Sequence, residues 1–295
     1  MTDASVPPKT GPQPKDGIYI DRDKAGIPKA EYTIADGKID GEARFYQDGV
    51  ITQHGTFKAG VLHGENRFYK DGELSQLSTH HNGKLHGEYT EYNQGQVTAR
   101  HHFTHGVLNG PTEFYKNGQL KQRTIYVDGY VHGETVFFDE NGDVQQTVPF
   151  HRGRKQGLST FYEKGRRLMD VEFHNDLQNG WLTTYSPTNK PMAKIPYKDG
   201  KKHGEARYYD MEGNVVRRET FLAGKLNGVA VDMMPNGTIL KESPFKGDLL
   251  HGWTIEYNHK GKEVARQQFQ EGEPITAKLE KTRFGHREKD ESSED

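Results

Sequence analysis

Histidine is the side chain here with the widest chemical reach: the chain of 295 residues has 15 of them and no cysteine. His63, His86, His132, His203 and His251 each stand one residue before a glycine. Imidazole repeated at a fixed interval raises the question of a metal, which needs ligand nitrogens about 2 Å from the ion. Equivalent positions in neighbouring strand pairs lie roughly 10 Å apart, too far to share one. Asp40, Asn109, Asn179 and Asn227 fill the same slot elsewhere, and such residues favour turns through local hydrogen bonds. A polar turn role therefore explains the column, and neither a metal nor another cofactor is expected. His80-His81 and His101-His102, with His105 just beyond, form two denser groups. Adjacent strand residues face opposite sides, so neither pair is a ligand set. His81, His151 and His174 share a further column and read as solvated surface.

Aromatic residues offer contact chemistry instead. Pairs recur as Phe45-Tyr46, Phe68-Tyr69, Phe114-Tyr115, Phe137-Phe138, Phe161-Tyr162 and Tyr208-Tyr209. Alternation sends one member inward as core and the other outward. The outward row of Tyr46, Tyr69, Tyr92, Tyr115, Tyr162 and Tyr209 is a candidate contact stripe, since tyrosine is favoured at interfaces. Trp181 and Trp253, the only tryptophans, share one position directly after a glycine and are candidate anchors. Met233 and Met234 add flexible thioethers to the same list. No GxSxG, HExxH or phosphate-loop pattern occurs, so no catalytic residue is assigned and an enzyme is not expected.

These side chains are positioned by a repeat. Ten units of 23 or 24 residues run from Gly37 to Gly272, their second glycines at 41, 64, 87, 110, 133, 157, 180, 204, 228 and 252. Each unit reads as two short strands around an Asp-Gly or Asn-Gly turn, such as those ending at Gly72, Gly118 and Gly142. A lone hairpin is unstable in water, so each must lean on its neighbours. The predicted fold is all-β: an elongated, single-layer antiparallel array of about ten hairpins. Residues 1–16, with four of the 13 prolines, read as disordered, 17–36 as a capping half-repeat, 37–273 as the array and 274–295 as a disordered charged tail.

Composition narrows the function. Hydrophobic residues make up 32% and the formal charge is −2, with no basic block of the kind nucleic acid binding needs. No apolar run approaches the ~20 residues of a spanning helix, and the start lacks a secretory leader. A cytoplasmic location is expected.

GVLHGENRFYKDGEL, GKLHGEYTEYNQGQV and GKKHGEARYYDMEGNV resemble the MORN repeat, and more closely its bacterial variant. The resemblance covers about 235 residues, and implies an antiparallel hairpin array. It also implies a binding role: an antitoxin or immunity protein neutralising a toxin or effector, or a membrane-associated module. The protein-binding scaffold is the leading expectation. The lack of a polybasic cluster weighs against anionic membranes, and a cell-wall glycan-binding array is a third reading. Homodimers through a terminal sheet edge are also expected. Two units break the pattern. In the seventh, Asp176 replaces the first glycine and Pro187, Pro191 and Pro196 crowd the hairpin; in the ninth, Asp232 and Met233 replace the aromatic pair.

Overall fold

The structure, a computed structural model, describes residues 14–275. Most of the two terminal segments expected to be disordered lies outside the described residues. The described chain is all-β, with twenty-eight strands and no helix. The strands pair antiparallel with their chain neighbours. Contacts divide it into two compact units, Met1–Lys201 and Lys202–Asp295, each built from the same hairpin.

A type I′ geometry, with two consecutive residues at positive φ, closes most turns. Asp48-Gly49 (50° and 77°) joins Lys38–Gln47 to Val50–Lys58, and Asn82-Gly83 (49° and 78°) joins Glu73–His81 to Lys84–Asn93. Glycine suits the second position because L side chains clash there. Five hairpins, at Asp139–Asp143, Ser186–Lys190, Asp210–Asn214, Met234–Thr238 and Asn258–Lys262, close instead around three residues. The first four lie in the repeats that are 24 residues long, so the extra residue in the period is this extra loop residue. The Asn-Gly at 141–142 thus belongs to a three-residue loop: Asp139 Oδ1 accepts from Asn141 N at 2.8 Å and Asp143 N at 3.0 Å, and only Gly142 takes positive φ.

Asp176 shows how the seventh repeat dispenses with its glycine. It takes φ 70° in the turn, and its carboxylate accepts from Lys155 N, one repeat earlier, at 2.8 Å. Asp248 does the same in the second unit, at φ 74°, accepting from Leu226 N at 2.7 Å. The added bond offsets left-handed strain. Asp176→Gly should therefore change stability by less than about 1 kcal/mol, trading the bond for freedom from strain. Asp176→Ala, which loses the bond and keeps the strain, should cost about 1–2 kcal/mol in urea unfolding.

The second glycine of each unit serves a different end. Ala43 pairs with Tyr32 and Ile39 with Ile34, so Asp40, Gly41 and Glu42 together face the single residue Thr33. The same bulge sets Gly64 (φ 92°) against Thr56 and Gly87 (φ 96°) against Thr79. A Cβ on Gly64 would stand 3.6 Å from the Thr56 Cβ, whereas one on Gly110 would stand 3.0 Å from the His102 Cβ. Both positive φ and close approach make glycine the residue of choice in a bulge.

Side chains divide by parity onto two faces. One carries the first member of each aromatic pair and, two residues past the second glycine, the small residues Ala43, Asn66, Thr112, Thr135, Ser159, Ala206 and Ala230, all buried. The other carries the second aromatic. Full burial thus belongs to small residues. The first aromatics do not fill a core as the sequence reading expects: Phe45, Phe68, Phe137 and Phe161 are half-buried and Phe114 is exposed. Within each unit a single layer has nothing to lay over such rings, and they act as rims shielding the small residues between them.

Candidate functional site

Parity gathers nearly all the candidate contact residues onto the second face. In the first unit Gly157–Glu163 and Leu177–Tyr185 place Leu158, Trp181 and Tyr185 there, with Tyr46, Tyr69, Tyr92, Tyr115 and Tyr162 in the same row. In the second unit Lys225–Met233 and Gly252–Tyr257 place Val229, Met233, Trp253 and Tyr257 there, and Tyr209 holds the equivalent place. Met234 does not join them: it opens the three-residue loop at 234–238.

The tyrosine row is partly tied down between repeats. Tyr46 OH donates to Glu31 at 3.1 Å, Tyr185 OH to Asp170 at 2.7 Å and Tyr257 OH to Glu242 at 2.8 Å, each fifteen residues back. Tyr115 donates to Glu113 and has the Arg100 guanidinium 5.7 Å from its ring centroid. Burial, then the Asp170 carboxylate, pushes the Tyr185 phenol up to about 12. Tyr115 and Arg123 hold Glu113 below the usual carboxylate range. His54 and Leu77 stand fifteen residues before Tyr69 and Tyr92, so those two half-buried rings have no carboxylate in that place.

The residue directly after the second glycine is the most telling column. It is Glu42, Glu65, Glu88 and Glu134 in four of the first five repeats. Later it becomes Leu158, Trp181, Val229 and Trp253, exposed by 43%, 40%, 46% and 46%. Pro196 lies across from Trp181 and Pro244 across from Val229, and the Arg266 guanidinium sits 5.6 Å from the Trp253 ring centroid. Leu158 and Val229 were legible as occupants of the tryptophan slot. What sequence reasoning missed is that all four point outward on one kind of face.

Residues 112–128 and 131–151 match the MORN repeat variant family. The chain carries MORN-variant repeats. The match falls on the fourth and fifth hairpins. No curated protein matches the chain. Among solved structures, an S. aureus TarM mutant crystallised with Fondaparinux, alpha-GlcNAc-glycerol and UDP is 15% identical over 37% of this chain and 19% of that one, with a TM-score of 0.20. A TcdB2-TccC3-TEV structure is 12% identical over 78% of this chain and 15% of that one, with a TM-score of 0.15.

Histidines of the MORN-variant repeats come closer together than their columns suggest. His63 and His81 rings are 4.9 Å apart, His81 and His86 5.8 Å, and His86 and His105 5.0 Å. His132 and His151 make a separate contact at 4.9 Å. Two columns, one before the bulge glycine and one at the strand end, interleave across the turn edge. Asn82 N donates to His63 Nδ1 and His105 N to His86 Nδ1, both at 3.5 Å. Gln156, in the same slot, takes an equivalent part: its Oε1 accepts from Asn175 N at 3.2 Å and its Nε2 donates to His174 Nδ1 at 3.0 Å. Among the described residues no group of three or more His, Asp or Glu is arranged to hold a metal ion, and no helix is long and apolar enough to cross a membrane.

His80 and His101 lie on the small-residue face. Burial depresses both, against a smaller opposing pull from Glu91 at His101. Asn66 Nδ2 donates to His80 Nδ1 at 3.3 Å, a bond only the neutral imidazole accepts. The unfolded chain takes these protons near pH 6.5 and the folded chain at lower pH. Their stability contribution is thus complete above about pH 6.5 and is lost as pH falls below it. Urea midpoints should drop between pH 7.5 and 5.5, and the His80→Gln/His101→Gln variant should show a smaller drop.

Proposed function

We propose that the array is a non-catalytic scaffold that grips a protein partner along its tyrosine and tryptophan face, in the manner of an antitoxin or immunity protein. One observation carries the reading. The column after the bulge glycine changes from glutamate in the early repeats to exposed Leu158, Trp181, Val229 and Trp253 in later ones. Packing does not call for large apolar groups at a site where glutamate serves as well. Exposed aromatic anchors rimmed by charge are what a protein partner with apolar pockets engages. The charged neighbours Arg266 and Glu172 would form the polar rim.

The test is affinity capture from the native cell with the full chain, alongside Trp181→Ala and Trp253→Ala. A stoichiometric protein recovered by the wild type should bind each variant about 30-fold more weakly, as for hot-spot anchors worth about 2 kcal/mol. Co-expression with that partner should relieve any toxicity the partner has. A partner retained equally by both variants would move the interface elsewhere. Flotation of the chain with anionic vesicles at physiological salt would replace this reading with a membrane-surface one.

A further inference from the structure

We propose that the first strand, Gly17–Arg22, is a self-pairing edge at which two copies of this chain join antiparallel across a two-fold axis at Tyr19. Among the described residues this strand pairs only with Pro28–Ala35, leaving its other side without a strand. An edge with unpaired backbone groups is a template for another strand unless it is blunted.

The direction of those free groups follows from the adjoining turn. Asp23 N donates to Ile27 O at 2.8 Å, and Gly26 N donates to Asp23 O at 3.1 Å, so Asp23 points its backbone groups toward the second strand. Strand residues alternate in the side to which N–H and C=O point. Ile18, Ile20 and Arg22 therefore present theirs to the open side. In an antiparallel self-pairing centred on Tyr19, Ile18 meets Ile20 of the partner copy and Ile20 meets its Ile18. Each such pair exchanges two backbone hydrogen bonds.

Side chains agree with this register. Ile18 is 83% exposed and Ile20 50%, an unusual amount of apolar surface for an edge. Both lie on one face, and pairing about Tyr19 would gather four isoleucines into one patch. Asp16 of each copy falls beside Arg22 of the other, putting opposite charges at both ends of the patch. Tyr19 itself lies on the opposite face, stacked on Tyr32 with centroids 5.8 Å apart.

Nothing similar is offered by the last strand. Glu263–Gln270 is already partly covered: Glu273–Pro274 pairs with Gln270 and Phe269, Ile275 N donates to Gln268 O at 2.8 Å, and Gln267 Nε2 donates to Ile275 O at 3.1 Å. Pro274 has no N–H to offer a further strand. One open edge and one blunted edge give a closed two-fold dimer rather than a filament.

The lack of native cysteine allows a direct test with the full chain. Tyr19 faces Tyr19 in a non-hydrogen-bonded pair, whose Cα atoms stand about 4.5 Å apart, within disulfide range. Mild oxidation should turn Tyr19→Cys into a covalent dimer on a non-reducing gel. Ile18→Cys alone should stay monomeric, and a mixture of Ile18→Cys with Ile20→Cys should cross-link. In sedimentation velocity the wild type should approach twice 33.5 kDa as concentration rises. Ile20→Pro should weaken association at least 30-fold with an unchanged circular dichroism melt. Asp16→Lys should weaken it about 3- to 10-fold, and adding Arg22→Glu should restore it, as expected for ion pairs worth a few tenths to one kcal/mol each and counted twice. A wild-type chain that stays monomeric at every concentration overturns the proposal. So does an Ile20→Pro chain that associates like the wild type, or a Tyr19→Cys chain that fails to cross-link.

Discussion

Gly55→Ala should destabilise the first unit by about 3 kcal/mol, although it adds only one methyl group. Gly55 has ordinary extended backbone, so the effect is one of space. A Cβ there would stand 1.8 Å from Asn66 Oδ1 and 2.8 Å from Asn66 Cγ. Asn66 is fully buried and cannot swing aside without losing the bonds its Nδ2 donates to Gly64 O at 3.1 Å and His80 Nδ1 at 3.3 Å. Overpacking costs about 1–3 kcal/mol and a stranded buried amide a similar amount. The neighbouring repeats show the rule behind the pair. Tyr32 faces Ala43, Ser78 faces Tyr89 and Ile195 faces Ala206, each a larger group against a smaller one. Gly55→Ala/Asn66→Ala should therefore recover most of the loss, because two alanines restore that balance. Urea unfolding of both single variants and the double would give the coupling, and additive losses would refute the volume argument.

Asp170→Ala should cost the first unit about 2–3 kcal/mol, a drop in melting temperature on the order of 5–10 °C. Asp170 is buried and gathers three partners from two repeats. Arg167 donates through Nε at 2.8 Å and through a terminal guanidinium nitrogen, Thr160 Oγ1 donates at 3.0 Å and Tyr185 OH at 2.7 Å. The guanidinium also lies 4.6 Å from the Tyr185 ring centroid. Removing the carboxylate strands a buried threonine hydroxyl and a phenol, while Arg167 is exposed enough to regain water. That partial exposure keeps the loss below the ~3–5 kcal/mol of a fully buried pair. Asp170→Asn keeps the shape and one acceptor oxygen and should lose about half as much. If Asp170→Ala melts with the wild type, the inter-repeat tyrosine bonds are ornaments of the face rather than part of what couples the hairpins.

Those two sites mark where sequence reading stopped. The turns were legible because their chemistry is local: an Asp-Gly or Asn-Gly step sets two φ angles whatever lies around it. The histidine row was not, since His63 and His81 belong to different columns that meet only when one hairpin docks on the next. The aromatic pairs were read correctly as facing opposite sides and wrongly as half core, because alternation says which way a side chain points and not what stands above it. The tryptophan slot lay in plain view, but Leu158 and Val229 gained meaning only with their exposure.

By itself, the sequence determined that this protein is an all-β array of hairpins, and the 24-residue intervals in its period already marked the repeats with the longer loop. Backbone sterics and the two-residue periodicity of strands suffice for that, as both act within a few bonds. Only the tertiary structure decided how the hairpins meet: the three-against-one bulge at each second glycine, the pairing of Gly55 with Asn66, the fifteen-residue reach from tyrosine to carboxylate. These contacts depend on the register between repeats, which is set by packing between strands that no local rule connects.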